Sequence, residues 1–502
     1  MVVSRLPSGA APSLAARAYG GLRRTRLLPV VALFAVVLVA ILPQQVVQDF
    51  WLALVSGREV VRHGLPGHDH LTVMAAGARW VDQQWLAQIL FYRLASVGGV
   101  KLALLVNAVV LVSAFALALA AARRLGCSVA AVWLVALPTM FIAPWALQMR
   151  AQTLAELLFV VLLWLLAADS RKPSLRVLWF VPLLCLWANV HGTVVLGALL
   201  VVLRGVTILV QERDPAHRHP HRHLRAVTLL AAPLPCTLAS PYGLALIGYY
   251  RTMLLNSKLS HFVQEWGVSS PGFRTALFYL IGAATVWTLA RHGARLPLFG
   301  RLVLAVTLVS GVWAVRSIIW FGLACLVLLP AAADGLLDDL CTRVRASRLR
   351  ANVDRLAGQA ALGAAVVVAG AALVAAVQGP ARYLATWHAG AVDAVAAATV
   401  DPSTRVFADD RYADWLLWRL PSLRGRVAYD VRFEPLDAAQ LERLFEYRNR
   451  IGDGWRRAAR GYQVLVFDPS TERDLWTAAT GERGARVLYA DSRIGVVRES
   501  RT

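Results

Sequence analysis

The chain has 502 residues, of which 58% are hydrophobic and only 16% charged, with a mean hydropathy of +0.55. A soluble chain carries about 25% charged residues, so a soluble globular enzyme and a disordered chain are both excluded, and five cysteines (127, 185, 236, 325 and 341) support no disulfide framework. The net charge of +22 would suit a nucleic-acid binder, but long apolar runs assign it to basic loops that orient a polytopic membrane protein, with no nucleic acid as partner.

The N-terminal tail, 1–26, carries Arg17, Arg23, Arg24 and Arg26 and is expected to stay in the cytoplasm. A spanning helix needs about 20 apolar residues, and about eleven stretches qualify. They lie near 27–46, 100–122, 127–145, 153–168, 175–190, 192–210, 226–243, 272–290, 298–316, 317–334 and 357–378. The first reads as a retained span, since no small-residue cleavage site follows Leu42-Pro43.

Counting the spans alternately brings every basic cluster to one side: Arg123-Arg124, Arg171-Lys172 with Arg176, Arg213 to Arg225, Arg291 with Arg295 and Arg301, and Arg343 to Arg355. The tract from His217 to His223 has the composition of a metal binder, yet its place among these clusters reads as a basic inside loop. The same count puts 47–99, 241–271 and the tail from 379 to 502 outside the cytoplasm. The predicted architecture is an α-helical membrane domain over 27–378, with a first outer loop at 47–99, and a small extracytoplasmic α/β domain over 379–502. In that tail short apolar runs at Arg405–Ala408, Gly425–Tyr429, Gln463–Phe467 and Arg486–Ala490 predict strands. Helical stretches at Tyr412–Leu420, Ala438–Tyr447 and Ser470–Ala479 alternate with them, and no nucleotide-binding glycine loop is present.

Ionisable residues near spans are costly and default to functional candidates. In this chain they gather on the outer side. Gln48-Asp49-Phe50-Trp51 follows the first span, then Gly57-Arg58-Glu59, His68-Asp69-His70 and Arg79-Trp80-Val81-Asp82-Gln83-Gln84-Trp85. Phe50–Arg62 and Trp85–Leu94 carry apolar residues at helical spacing, which predicts amphipathic interfacial helices with Trp51, Trp80 and Trp85 as membrane anchors. Further along come Arg150, the Asn189-Val190-His191-Gly192 junction, Ser240-Pro241-Tyr242-Gly243, His261, Glu265-Trp266 and Arg316.

This layout resembles the GT-C superfamily of integral-membrane glycosyltransferases, which pass a sugar from a polyprenyl-phosphate or pyrophosphate donor to an acceptor on the outer side of the membrane. The resemblance rests on Asp49 directly after the first span, the stretch Gly57 to Pro66, Asp69 and Trp80. A bacterial subgroup shares the Trp187-to-Gly192 element, Pro241-Tyr242-Gly243, Glu265-Trp266 and a small terminal domain. Where many members carry Asp-Glu after the first span, this chain has Asp49-Phe50, leaving the second acidic role to Asp69 or Asp82.

The resemblance implies a lipid-linked sugar donor, a glycan or lipid acceptor in the cell envelope, contact with membrane lipids, and a multi-pass plasma-membrane protein. Inverting transfer needs a carboxylate base, for which Asp49 is the first candidate and Asp69 the second; an N-cap is the competing reading of Asp49. Asp69 between His68 and His70 is a candidate divalent-metal site, with a polar turn as the alternative. Arg150 and Arg316 suit a leaving phosphate, His191 an acid, base or donor, and Glu265 with Trp266 the sugar or acceptor. A transporter or flippase of lipid-linked saccharides, a glycan ligase or polymerase, and a non-catalytic scaffold are the competing functions. Transporters favour internal repeats and polar groups at the midplane. No repeat is evident here, and the polar candidates sit at span ends.

Overall fold

The computed structural model describes residues 46–143, 148–211, 221–255, 264–344, 384–451 and 455–499. The candidate spans at 27–46 and 357–378 fall outside them, apart from Val46, as do His261 and most of the His217–His223 tract.

The first described helix, α1 (Gln48–His63), leads into an extended loop and then α2 (Trp85–Arg124). α2 bends at Gly98 and Gly99, where Gly99 has φ 69° and ψ 178°. Its amphipathic first part is thereby set off from the apolar part that follows. The bundle continues through α3 (Val129–Thr139), α4 (Gln152–Arg171), α5 (Phe180–Val190), α6 (Val194–Gln211), α7 (Arg222–Ala231), α8 (Pro233–Thr237), α9 (Ala245–Leu255), α10 (Ala276–His292), α11 (Leu298–Trp313) and α12 (Ile318–Val344). Among the described residues, α2, α4, α6 and the stretch Val315–Asp339 are long and apolar enough to cross a membrane. The stretch expected to span at 226–243 is instead two shorter helices, because Pro233 opens α8 with its ring at the first helical position.

Beyond the bundle, residues 384–499 carry α13 (Ala389–Ala398), β1 (Val406–Ala408), α14 (Asp410–Arg419), α15 (Ala438–Asn449), α16 (Trp455–Ala458), β2 (Val464–Phe467), α17 (Arg473–Gly481), β3 (Arg486–Ala490) and β4 (Gly495–Arg498). The strands form one sheet in the order β1-β2-β4-β3, with β1 and β2 parallel and the other pairs antiparallel. Residues 425–429, expected as a strand, form only isolated bridges. Val427 links Val406 of β1 to Thr72 of the loop between α1 and α2. The backbone N–H groups of Val73 and Met74 donate to the carbonyls of Val427 and Ala428 at 2.8 and 2.9 Å. The loop between α1 and α2 therefore extends this sheet.

That docking corrects the expected membrane anchors. Trp51 is 1% exposed and lies edge-on to Trp387 at 5.3 Å, and Trp387 packs in turn on Tyr412 and Trp415. α1 is buried on most sides because α2 covers one face and α14 another. Arg58 donates to the carbonyls of Leu417 and Trp418 at the end of α14, at 2.7 and 3.1 Å. A cation at a helix C-terminus meets the unpaired carbonyls there. Glu59 pairs with Arg424 at 2.9 Å. Trp80 lies beneath the Arg432 guanidinium at 4.1 Å, and the Trp85 indole donates to Asn189 at 2.9 Å. These tryptophans fasten protein to protein.

Candidate active site

A cavity of about 1700 Å³ opens between the loop ends of the bundle and the α/β portion. Asp49, Arg150, His191, Glu265, Trp266 and Arg316 all line it. Six residues scattered over 268 positions of sequence thus meet on one wall. Each sits at an element end: Asp49 in the first turn of α1, Arg150 just before α4, His191 between α5 and α6, Glu265 and Trp266 in a short turn before α10, and Arg316 just before α12.

Asp49 caps nothing. The residue at the N-cap position of α1 is Val47, and no side chain bonds there. Its carboxylate instead faces Arg150, with 3.4 Å between Arg150 Nη1 and Oδ2. Arg150 also grips Glu265 through two bonds, Nη1 to Oε2 at 2.9 Å and Nη2 to Oε1 at 3.0 Å, and donates to Gln148. Such a fork fixes geometry as well as charge. Burial raises the Asp49 carboxyl above its usual range, against the pull of Arg150. Burial also works to raise Glu265, but the Arg150 charge and hydrogen bond outweigh it and hold Glu265 below its usual range. Two neighbouring carboxylates are thereby driven apart, one toward a proton acceptor and one toward a permanent anion.

Arg316 is the contrasting cation. Its guanidinium lies over the Trp266 ring at 4.7 Å, and among the described residues no carboxylate forms an ion pair with it. A stacked, unneutralised arginine at a cavity wall is suited to an incoming anion. His191 is 9% exposed, and burial, with Arg316 and Arg150 nearby, pushes its pKa down to about 3. The Thr193 backbone N–H donates to its Nδ1 at 3.2 Å, which makes Nδ1 an acceptor and leaves the proton on Nε2. His191 is a neutral hydrogen-bond donor at neutral pH.

No family model matches the sequence, and no curated protein matches it. Solved structures do match in shape. ArnT from Cupriavidus metallidurans in the apo state aligns over 96% of this chain and 98% of its own, with 16% identity and a TM-score of 0.52. The same protein bound to undecaprenyl phosphate aligns with the same coverage and identity at a TM-score of 0.51. The archaeal oligosaccharyltransferase AglB from Archaeoglobus fulgidus, in complex with an inhibitory peptide and a dolichol-phosphate, aligns over 92% of this chain and 71% of its own, at 12% identity and a TM-score of 0.54. The chain shares the fold of these structures.

Within that fold Asp69 stands apart from the other expected site residues. It is fully buried, does not line the cavity, and its oxygens are occupied: Oδ1 by Arg432 at 2.7 Å, Oδ2 by the Thr72 hydroxyl and N–H at 2.8 and 3.1 Å. His68 and His70 are exposed while Asp69 between them is buried. The candidate metal site is therefore not assembled there, and among the described residues no cluster of three such ligands occurs elsewhere. Asp69 serves instead to hold Arg432, which Asp430 also grips at 2.9 Å through Nε.

Asp82, Gln83, Gln88, Tyr249, Arg432 and Glu434 also line the cavity, as do Asp410 and Arg448 from the α/β portion. Sequence reasoning offered Asp82 as the alternative second acid and passed over the rest. The polar run Asp82-Gln83-Gln84 ahead of an apolar helix was a usable signal, whereas nothing local marks Arg432 or Glu434.

Proposed function

We propose that this chain is a glycosyltransferase of the outer face of the plasma membrane, taking a sugar from a polyprenyl-phosphate-linked donor and passing it to a cell-envelope acceptor. The observation that carries this reading is the meeting, in one cavity, of the Asp49 carboxylate held by Arg150 with the Arg316 guanidinium stacked on Trp266. Asp49 accepts the proton of the acceptor hydroxyl as that oxygen attacks the anomeric carbon. The bond from that carbon to the phosphate oxygen breaks, and its electron pair leaves with the phosphate. Arg316 stabilises the charge that develops there, with the His191 Nε2–H as a second donor. Arg150 is already neutralised by Glu265 and Asp49, so its part is to fix the base in place rather than to bind phosphate.

Ligand pockets of about 300–1,000 Å³ serve single small ligands; a cavity of about 1700 Å³ has room for a lipid-linked donor and an acceptor together. The same breadth, with the likeness to an oligosaccharyltransferase, supports a second reading in which a preassembled glycan is transferred. The α/β portion, as the far wall, would then hold the acceptor.

The test supplies purified protein in lipid with radiolabelled polyprenyl-phosphate sugars and compares wild type with Asp49→Asn. The expected outcome is a loss of transfer of about two to four orders of magnitude, with binding of polyprenyl phosphate retained. Unchanged transfer by the variant would remove Asp49 from the mechanism. Absence of transfer by the wild type, together with movement of saccharide-lipid across vesicles, would establish a flippase instead.

A further inference from the structure

Beside the Asp49–Arg316 centre the cavity wall carries a second set of polar groups that the proposed chemistry leaves unused. Asp82, Gln83, Gln88 and Arg432 are 3%, 4%, 1% and 6% exposed. All four line the cavity. Each keeps one buried polar atom without a protein partner: Asp82 Oδ2, Gln83 Oε1, Gln88 Oε1 and Arg432 Nη1. Buried polar atoms are almost always paired, so these four, grouped behind one cavity wall, hold unused hydrogen-bonding capacity beside the space a ligand would fill.

We propose that Asp82, Gln83, Gln88 and Arg432 form a second subsite that reads the hydroxyl groups of a neutral sugar ring. Three orphaned acceptors and one donor call for a ligand with several groups able both to give and to take hydrogen bonds, which describes ring hydroxyls. A phosphate offers acceptors only and would meet three acceptors. Nor is Arg432 a free cation for it, since Asp69 and Asp430 already neutralise that charge. Two of the three acceptors are uncharged amides, which argues against a metal ion.

The subsite adjoins the reacting centre. A Cβ on Gly192 would lie 3.4 Å from Gln83 Cδ, so Gln83 rests on the residue following His191. Tyr249 lines the same cavity as Gln83, Glu434 and Arg316. A ring bound here lies next to the transferred bond. The identity of the ligand rests on the glycosyl-transfer reading above, and the ring belongs either to the lipid-linked donor or to a soluble acceptor glycan.

The full chain in lipid nanodiscs is titrated with four probes: bare polyprenyl phosphate, the same lipid carrying a neutral hexose, the same lipid carrying a uronic acid, and a neutral oligosaccharide in water. Wild type is compared with Gln83→Met, which removes the acceptor, and Gln83→Glu, which keeps one. A donor subsite gives a gain for the neutral-sugar lipid over the bare lipid of about tenfold, lost in Gln83→Met and largely kept in Gln83→Glu. An acceptor subsite gives the same pattern with the oligosaccharide alone. Unchanged affinity for bare lipid certifies that the variants are folded. Equal binding of neutral and uronic sugars by the wild type, loss of the gain in both variants, or no difference between Gln83→Met and wild type on either arm would overturn the subsite. Failure of the wild type to bind bare polyprenyl phosphate would break the lipid-donor reading instead, leaving the oligosaccharide arm to decide the subsite.

Discussion

Asp82 and Glu434 face the cavity with carboxyls that burial pushes up to about 7, each tempered by the nearby Arg432. An acid whose pKa is higher in the folded chain than in the unfolded one favours folding while it is protonated, and that contribution is lost as pH rises through the folded value. His191 works in the opposite sense, since its folded pKa is depressed, but its contribution is gained below the unfolded value of about 6.5 and is constant above it. Between pH 6.5 and 8.5 the two carboxyls act in the same direction as Asp410 and Glu499, which burial also pushes up to about 7, and Glu472, pushed up to about 8. The unfolding temperature in detergent is expected to fall across that interval, and Asp82→Asn should flatten part of the slope; a flat wild-type profile would count against both assignments. The same residues mark the limit of sequence reading. Asp49, Arg150, His191, Glu265, Trp266 and Arg316 were legible because a polar group beside an apolar span is costly without a purpose. Asp69 met that criterion equally well and lies outside the cavity, because the arginine that occupies it is 363 residues away.

At the scale of elements, apolar runs disclosed the four described helices long and apolar enough to cross a membrane, while local chemistry decided where helices break. Pro233 divides one expected span, and Gly98-Gly99 divides α2 without ending it. The backbone of Gly99, at φ 69° and ψ 178°, occupies a region open essentially to glycine alone. Nothing lies within 4 Å of a Cβ placed there, so the constraint is conformational rather than steric. Gly99→Ala is expected to cost about 1–3 kcal/mol, seen as a lower unfolding temperature. Because the bend aims the first turns of α2, which carry Gln88 and follow Gln83, the variant should also weaken sugar-lipid binding. A fully stable variant with wild-type affinity would show that α2 can bend elsewhere. The expected strand at 425–429 failed for a different reason: its apolar alternation is used to bridge β1 to the outer loop, a pairing between distant segments that no local pattern encodes.

For the whole molecule, the two chemical characters of the chain lie at opposite ends of the bundle. Arg150 precedes α4 and Arg171 ends it; twenty residues of helix separate them by about 30 Å, close to the thickness of a bilayer core. At the Arg171 end the guanidinium meets the Leu125 carbonyl, Asp334 accepts from the Ser128 N–H at 2.9 Å, and Arg295 pairs with Asp338 at 2.9 Å. The basic loops therefore share one end, and the Asp49–Arg316 cavity with the docked α/β portion occupies the other. Under the proposed function, with basic loops retained in the cytoplasm, the cavity faces the outer side. Single cysteines test this directly. Positions 70, in the loop between α1 and α2, and 403, in the α/β portion, are exposed, as is position 172 at the basic end; Cys127, Cys236 and Cys325 are buried, and the parent for His70→Cys, Ser403→Cys and Lys172→Cys carries Cys185→Ser and Cys341→Ser to keep the background low. An impermeant maleimide added to intact cells should label positions 70 and 403, and position 172 only after permeabilisation. The reverse pattern would turn the cavity toward the cytoplasm and remove outer-face transfer, while labelling of 70 without 403 would contradict the docking of the sheet onto the loop between α1 and α2.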